Sequence, residues 1–214
     1  MVDAAYRIPG SSHVMIWSAT RYARIQCRAG DDDSMISGPL KIRDRWPSLN
    51  KSNIGRVDAV CPVPGNNRRI YVFSGAKYVK LELNPDTLVD TLATEPTPIT
   101  DGWKTLGRAG FDRIDAAMVV PGTEDNIYFF RGKEWIDVSW TDQLISHGTI
   151  AESWPSLKKA EFETVDAILK NEDDTYYFFS GDRYARIRMK QDEDTLYDDG
   201  PYHISRWNTF GNWV

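Results

Sequence analysis

A four-residue unit recurs along this chain at near-constant spacing, and it constrains the fold more than any other feature. Val2-Asp3-Ala4-Ala5 returns as Val57-Asp58-Ala59-Val60, as Ile114-Asp115-Ala116-Ala117 and as Val165-Asp166-Ala167-Ile168. The four aspartates stand 55, 57 and 51 residues apart. A period of that length marks a structural unit that cannot bury its apolar faces alone and buries them against copies of itself.

Each copy continues in the same way. A second apolar run follows at His13-Val14-Met15-Ile16-Trp17, Ile70-Tyr71-Val72-Phe73, Ile127-Tyr128-Phe129-Phe130 and Tyr176-Tyr177-Phe178-Phe179. The last three lead into Ser74-Gly75, Arg131-Gly132 and Ser180-Gly181, which suits a tight hairpin needing positive φ. A third run alternates as a half-buried strand does: Arg21-Tyr22-Ala23-Arg24-Ile25, Lys77-Tyr78-Val79-Lys80-Leu81, Glu134-Trp135-Ile136-Asp137-Val138 and Arg183-Tyr184-Ala185-Arg186-Ile187. After a polar loop each copy closes around a tryptophan, at Trp46, Trp103, Trp154 and Trp207.

Three strands and a weaker fourth element per copy predict an all-β, four-bladed β-propeller. Its blades are four-stranded, with a short helical turn near each Trp, and cover approximately residues 2–55, 56–112, 113–163 and 164–214 of a single domain. The first strand of each blade is expected innermost. Four strands meeting at an axis leave little room for side chains, which accounts for Ala4, Ala59, Ala116 and Ala167 at matching places.

The Asp-Ala starts, the hairpins Tyr128-Phe129-Phe130-Arg131-Gly132 and Tyr177-Phe178-Phe179-Ser180-Gly181, the third strand Arg183-Tyr184-Ala185-Arg186 and the closes Trp46-Pro47-Ser48-Leu49 and Trp154-Pro155-Ser156-Leu157 resemble hemopexin repeats. The resemblance covers essentially residues 2 to 210 and is nearest the plant seed albumin 2 group. It implies that main-chain oxygens at Asp3, Asp58, Asp115 and Asp166 hold calcium or sodium in a central channel. Ala5, Val60, Ala117 and Ile168 would form the next ring, with a chloride or second ion deeper in. It also implies binding of a polyamine such as spermine, and of haem. A structural ion tying the blades together is the plainer form of this expectation, with the Asp side chains merely capping and bracing turns.

Bottom-up chemistry bears on each implication. Converging carbonyls can replace water around a hard cation, and converging amides can hold an anion. An acidic chain, with net charge −5, suits a slender polycation at a channel mouth. Haem is less well served, because His13, His147 and His203 are the three histidines and do not occupy equivalent repeat positions. Cys27 and Cys61 are predicted far apart radially and are expected to stay free thiols. The family's proteases usually tie first blade to last with a disulfide, so closure here is expected from packing of segment 210–214 on blade one.

Net charge argues against nucleic acid. No apolar stretch approaches a membrane span, and no secretory signal precedes the first strand, so a cytoplasmic protein is expected. Asp31-Asp32-Asp33 and the acidic run from Asp192 to Asp199 lack the EF-hand ligand order and read as solvated loops. The basic pairs Arg21-Arg24, Lys77-Lys80 and Arg183-Arg186 suggest pairing with acids between blades, whereas blade three substitutes Glu134 and Asp137. With no phosphate loop, His-Glu-x-x-His, Cys-x-x-Cys or Gly-x-Ser-x-Gly motif, a non-enzymatic role is expected. The rival to a channel ligand is a protein- or glycan-binding, lectin-like surface centred on blade three. Monomer and homodimer both fit the sequence.

Overall fold

The computed structural model describes residues 1–84, 87–190 and 193–214. Four antiparallel sheets follow one another along the chain. Blade one contains β1 (Ala4–Arg7), β2 (His13–Ser18), β3 (Arg21–Gln26) and β4 (Ser34–Lys41). Blade two contains β5 (Ala59–Val63), β6 (Asn66–Ser74), β7 (Lys77–Leu83) and β8 (Asp90–Pro98). Blade three contains β9 (Ala116–Val119), β10 (Asn126–Arg131), β11 (Glu134–Ser139) and β12 (Leu144–Thr149). Blade four contains β13 (Ala167–Lys170), β14 (Thr175–Ser180), β15 (Arg183–Lys190), β16 (Glu193–Leu196) and β17 (Tyr202–His203). Within each blade the strands pair in sequence order, and the first strands touch one another around the axis: β1 with β5 and β13, and β9 with the same two.

Strand alternation explains how the ring holds together. Successive side chains point to opposite faces of a sheet, so Ala4 and Ala5 serve different neighbours. Ala4, Trp17 and Trp46 pack with Val60, Val72 and Leu81 between blades one and two. Ala59, Phe73 and Trp103 pack with Ala117, Phe129 and Ile136 between two and three. Ala116, Phe130 and Trp154 meet Ile168, Phe178 and Ala185 between three and four. The last junction joins Ala167, Phe179 and Trp207 to Ala5, Ile16 and Ala23, and adds Phe210, Trp213 and Val214 from the C-terminal segment. Large aromatic groups thus fill wedges between sheets that a single blade would leave wet.

Two local features differ from the sequence expectation. Each tryptophan of blades one to three sits at the joint of two short helices, not in one turn: α1 (Ile42–Arg45) and α2 (Pro47–Lys51), α3 (Ile99–Gly102) and α4 (Lys104–Arg108), α5 (Ile150–Ser153) and α6 (Pro155–Lys159). Pro47 and Pro155 open their helices at a position where a missing N–H costs nothing. Blade four retains one 3-10 turn, Ile204–Arg206. Its outer position is also divided, since β16 and β17 both pair with β15. In blades one and two a register shift within one continuous outer strand does the same job. At Gly38, in the blade-one shift, φ is +107° and a Cβ would lie 2.9 Å from Ala23 Cα, so only glycine fits. Among the described residues no helix is long and apolar enough to cross a membrane.

Candidate ligand channel

The four repeat aspartates converge on one mouth of the axis. Asp3, Asp58, Asp115 and Asp166 line a 220 Å³ opening together with Met1, Arg56, Arg113 and Ile114. Each carboxylate first serves its own blade. One Oδ accepts from the hairpin amide that follows the second strand: Ala19 N to Asp3 (2.5 Å), and Gly75, Gly132 and Gly181 N to Asp58, Asp115 and Asp166 (2.6 Å each). The Asp amides donate in turn to Trp17, Phe73, Phe130 and Phe179 carbonyls. These paired bonds make the aspartates turn braces. Blade one has Ala19 where the others have glycine, and it too adopts positive φ, at 51°.

Two arginines that the sequence reading passed over stand among these carboxylates. Arg56 bridges Asp3 Oδ1 (2.8 Å) and Asp58 Oδ1 (3.2 Å), and Arg113 Nε lies 3.6 Å from Asp115 Oδ1. Both occur two residues before a repeat aspartate, a signal visible as Arg56-Val57-Asp58 and Arg113-Ile114-Asp115. Burial pushes the Asp3 carboxyl above its ordinary value, against the Ala19 amide and Arg56, which pull it down. Burial also raises Asp166, and the charges of Asp115 and Asp3 add to that rise. Among the described residues no group of three or more His, Cys, Asp or Glu side chains is gathered closely enough to hold a metal.

The opposite end of the axis is wider, at 610 Å³. Ala5, Val60, Ala117 and Ile168 line it, with Tyr6 and Tyr176 on its walls. Arg7 reaches across from blade one to blade four there, donating to Lys170 O (2.8 Å) and Asn171 Oδ1 (3.2 Å), and lies 3.5 Å from Glu172. His13, His147 and His203 line neither mouth. Both cysteines are buried free thiols, and burial pushes each thiol up.

A second ring of aspartates lies on the outside, and it corrects the reading of the acidic loops as merely solvated. Asp90 accepts from Ser48 N (2.9 Å), Asp142 from Lys104 N (2.7 Å) and Thr105 N (3.0 Å), and Asp194 from Ser156 N (2.7 Å). Asp33 accepts from Asn208 and Thr209 N, both at 2.8 Å. Each of these carboxylates comes from one blade and satisfies free amides beside the closing tryptophan of the blade before it. Of the acidic run 192–199, Asp192 lies outside the described residues.

The basic pairs also depart from simple acid pairing. Arg183 does pair with Glu161 (4.0 Å) and Arg186 with Asp173 (3.3 Å). Lys77 instead donates to the Ser52 carbonyl, and Lys80 lies 5.1 Å from the Trp140 ring of blade three and 5.2 Å from Tyr71. Burial lowers the Lys80 pKa, with the Arg69 charge adding to the effect.

No family model matches the chain. Albumin-2 of Pisum sativum is 23% identical over 195 residues, spanning 88% of this chain and 84% of the relative. The structure of a 2S albumin seed protein from Dolichos superposes with a TM-score of 0.87 at 25% identity, covering 97% of this chain and 96% of that one. The chain is a hemopexin-like propeller of the seed-albumin type. Two further structures share the hemopexin-like fold, each with a TM-score of 0.87 and each covering 97% of this chain and 95% of the other: hemopexin fold protein CP4 from cow pea, at 24% identity, and a plant lectin with two metal binding sites from Cicer arietinum, at 21%.

Proposed function

We propose that this hemopexin-like chain is a non-enzymatic binding protein that holds a cation, calcium or sodium, in its axial channel. The observation that carries the reading is the convergence of four repeat-equivalent aspartates on one narrow mouth. Their side chains are anchored on hairpin amides, so the main-chain oxygens of Asp3, Asp58, Asp115 and Asp166 are the donors this reading assigns. Ala5, Val60, Ala117 and Ile168 supply the second ring for a chloride or second ion. Burial, with the charges of Asp115 and Asp3 adding to it, raises the Asp166 carboxyl, and a bound cation would favour its charged form. The similar Cicer lectin with two metal binding sites is consistent with metal binding on this fold.

Spermine is the slender polycation such a mouth would admit, but Arg56 and Arg113 at its rim oppose a polycation more than they oppose a small ion bound deeper. Haem has no histidine at either mouth to ligate it among the described residues. The small ion is therefore the form we put forward.

Titration calorimetry of EDTA-treated protein with calcium chloride tests it, followed by spermine on the same sample. One-to-one heat from calcium with a rise in Tm is expected, because a ligand that binds only the native state stabilises it. Asp166→Asn keeps both the main-chain oxygen and an acceptor for Gly181 and should still bind, whereas Asp115→Lys should not. Absence of heat and of any Tm change with calcium or sodium would overturn the reading.

A further inference from the structure

One repeat position, two residues past the aromatic that begins each third-strand motif, carries Arg24, Lys80, Asp137 and Arg186. In three blades that side chain is engaged from within the protein. Arg186 pairs with Asp173 (3.3 Å) and lies over the Tyr197 ring at 3.9 Å. Lys80 lies over the Tyr71 and Trp140 rings, and Asp137 accepts from Asn126 Nδ2 (3.4 Å). In blade one, Arg24 has no ion pair, ring contact or side-chain hydrogen bond among the described residues, although its Nε is buried. The residue before the closing tryptophan repeats the contrast. Arg206 of blade four lies over the Tyr202 ring at 3.8 Å, whereas Arg45 of blade one has no such partner among the described residues.

Both arginines line one cavity of 390 Å³ between blades one and two, within the range of small-ligand sites. Strand alternation brings its groups together. Tyr22 and Arg24 share the face of β3 that is turned to blade two, and they pair with Leu40 and Ser37 of β4. Leu88, just before β8, lines the cavity from the blade-two side. Burial raises the Tyr22 hydroxyl above its ordinary value, while the Arg45 and Arg24 charges both reach it and pull it down.

We propose that this cavity binds a small organic monocarboxylate, with its head group on Arg24 and Arg45 and its apolar body against Leu40 and Leu88. A guanidinium presents paired N–H donors that match the two oxygens of a carboxylate, and the Tyr22 and Ser37 hydroxyls add donors beside them. Asp90 also lines the cavity, where it accepts from Ser48 N (2.9 Å), and its charge disfavours a dianion such as phosphate. The site is separate from the axial channel. It belongs to this junction because the equivalent basic groups of blades two and four are already engaged.

Saturation-transfer NMR and titration calorimetry test the proposal, with benzoate, phenylacetate and hexanoate as probes and inorganic phosphate as the comparison. The protein is freed of metal and then of EDTA, itself a carboxylate, so the result does not depend on the channel reading. At least one of these carboxylates is expected to saturate a single site, and phosphate is not. Arg45→Gln, at the exposed end of α1, should weaken that binding by at least about tenfold with Tm unchanged. Ser37→Asp sets a carboxylate opposite Arg24, supplying the kind of partner that Arg186 has in Asp173, and should abolish binding. If none of the carboxylates binds, if phosphate binds as tightly, or if binding survives both substitutions, the proposal is wrong.

Discussion

The inner and outer aspartates of this propeller perform the same chemical act in opposite senses. Asp3, Asp58, Asp115 and Asp166 accept amide hydrogens within their own blade, 15 to 17 residues away. Asp90, Asp142 and Asp194 accept from the preceding blade, 37 to 42 residues back, and Asp33 from the last blade, 175 and 176 residues ahead. The inner set shapes blades, whereas the outer set fastens each to the next. A carboxylate near the axis also faces its own kind, while an outer one meets backbone amides and, at Asp33, the Thr209 hydroxyl.

The comparison breaks first at the outer clasps. Replacing buried Asp90 with alanine strands the Ser48 amide and should cost about 2–3 kcal/mol, the range for hydrogen bonds to charged groups, read as a lower urea midpoint at constant m-value. Asp33→Ala should cost somewhat less, about 1–2 kcal/mol, comparable to the loss of a helix cap. Its loss should appear as faster hydrogen exchange confined to blades one and four. Uniform exchange around the ring would mean that the clasps do not act junction by junction.

The inner set is sharpened by pH. Asp166 holds its proton to higher pH in the native state than its ordinary value of 3.8, so between the two the native protein binds more protons than the unfolded chain. Stability from this group is therefore present at lower pH and is lost as pH rises through the native value. Asp166→Asn removes that loss while keeping an acceptor for Gly181. Melting profiles of metal-free wild type and variant should separate as pH rises, and parallel profiles would refute the raised Asp166 carboxyl. The smallest effect is expected at the hairpin of blade one, where Ala19→Gly relieves a left-handed alanine and should gain about 1 kcal/mol in urea unfolding.

The same contrast explains what could be read from the sequence. The inner ring was legible because Val-Asp-Ala precedes the same apolar runs each time, and strand alternation then fixes which face is buried. The outer ring was hidden because its aspartates sit in acidic loops of differing composition, such as Asp31-Asp32-Asp33, and their partners belong to another blade. Helix pairs such as Ile42–Arg45 and Pro47–Lys51 are too short to show a 3.6-residue period, so they read as one turn around a tryptophan. Arg56 and Arg113 were readable but occur in only two copies, and a search for what all four share passes over them. Glu134 was noticed as an exception; that Arg131 takes over, reaching the Gly110 carbonyl and Asp112 where Lys77 and Arg183 reach at their own junctions, required knowing where those side chains point.

The junction of blades four and one is assembled from the two ends of the chain: Val2, Ile16 and Ile25 on one side, Trp207 and Phe210 on the other. During synthesis blade one emerges first, and the surface that covers it follows only after the other blades. Three blades can stack as they appear, yet the ring stays open at one apolar wall until Trp207 and Phe210 arrive. Until then the growing propeller is an arc, and the wall it leaves bare is the part a chaperone, or a second unfinished copy, would meet first.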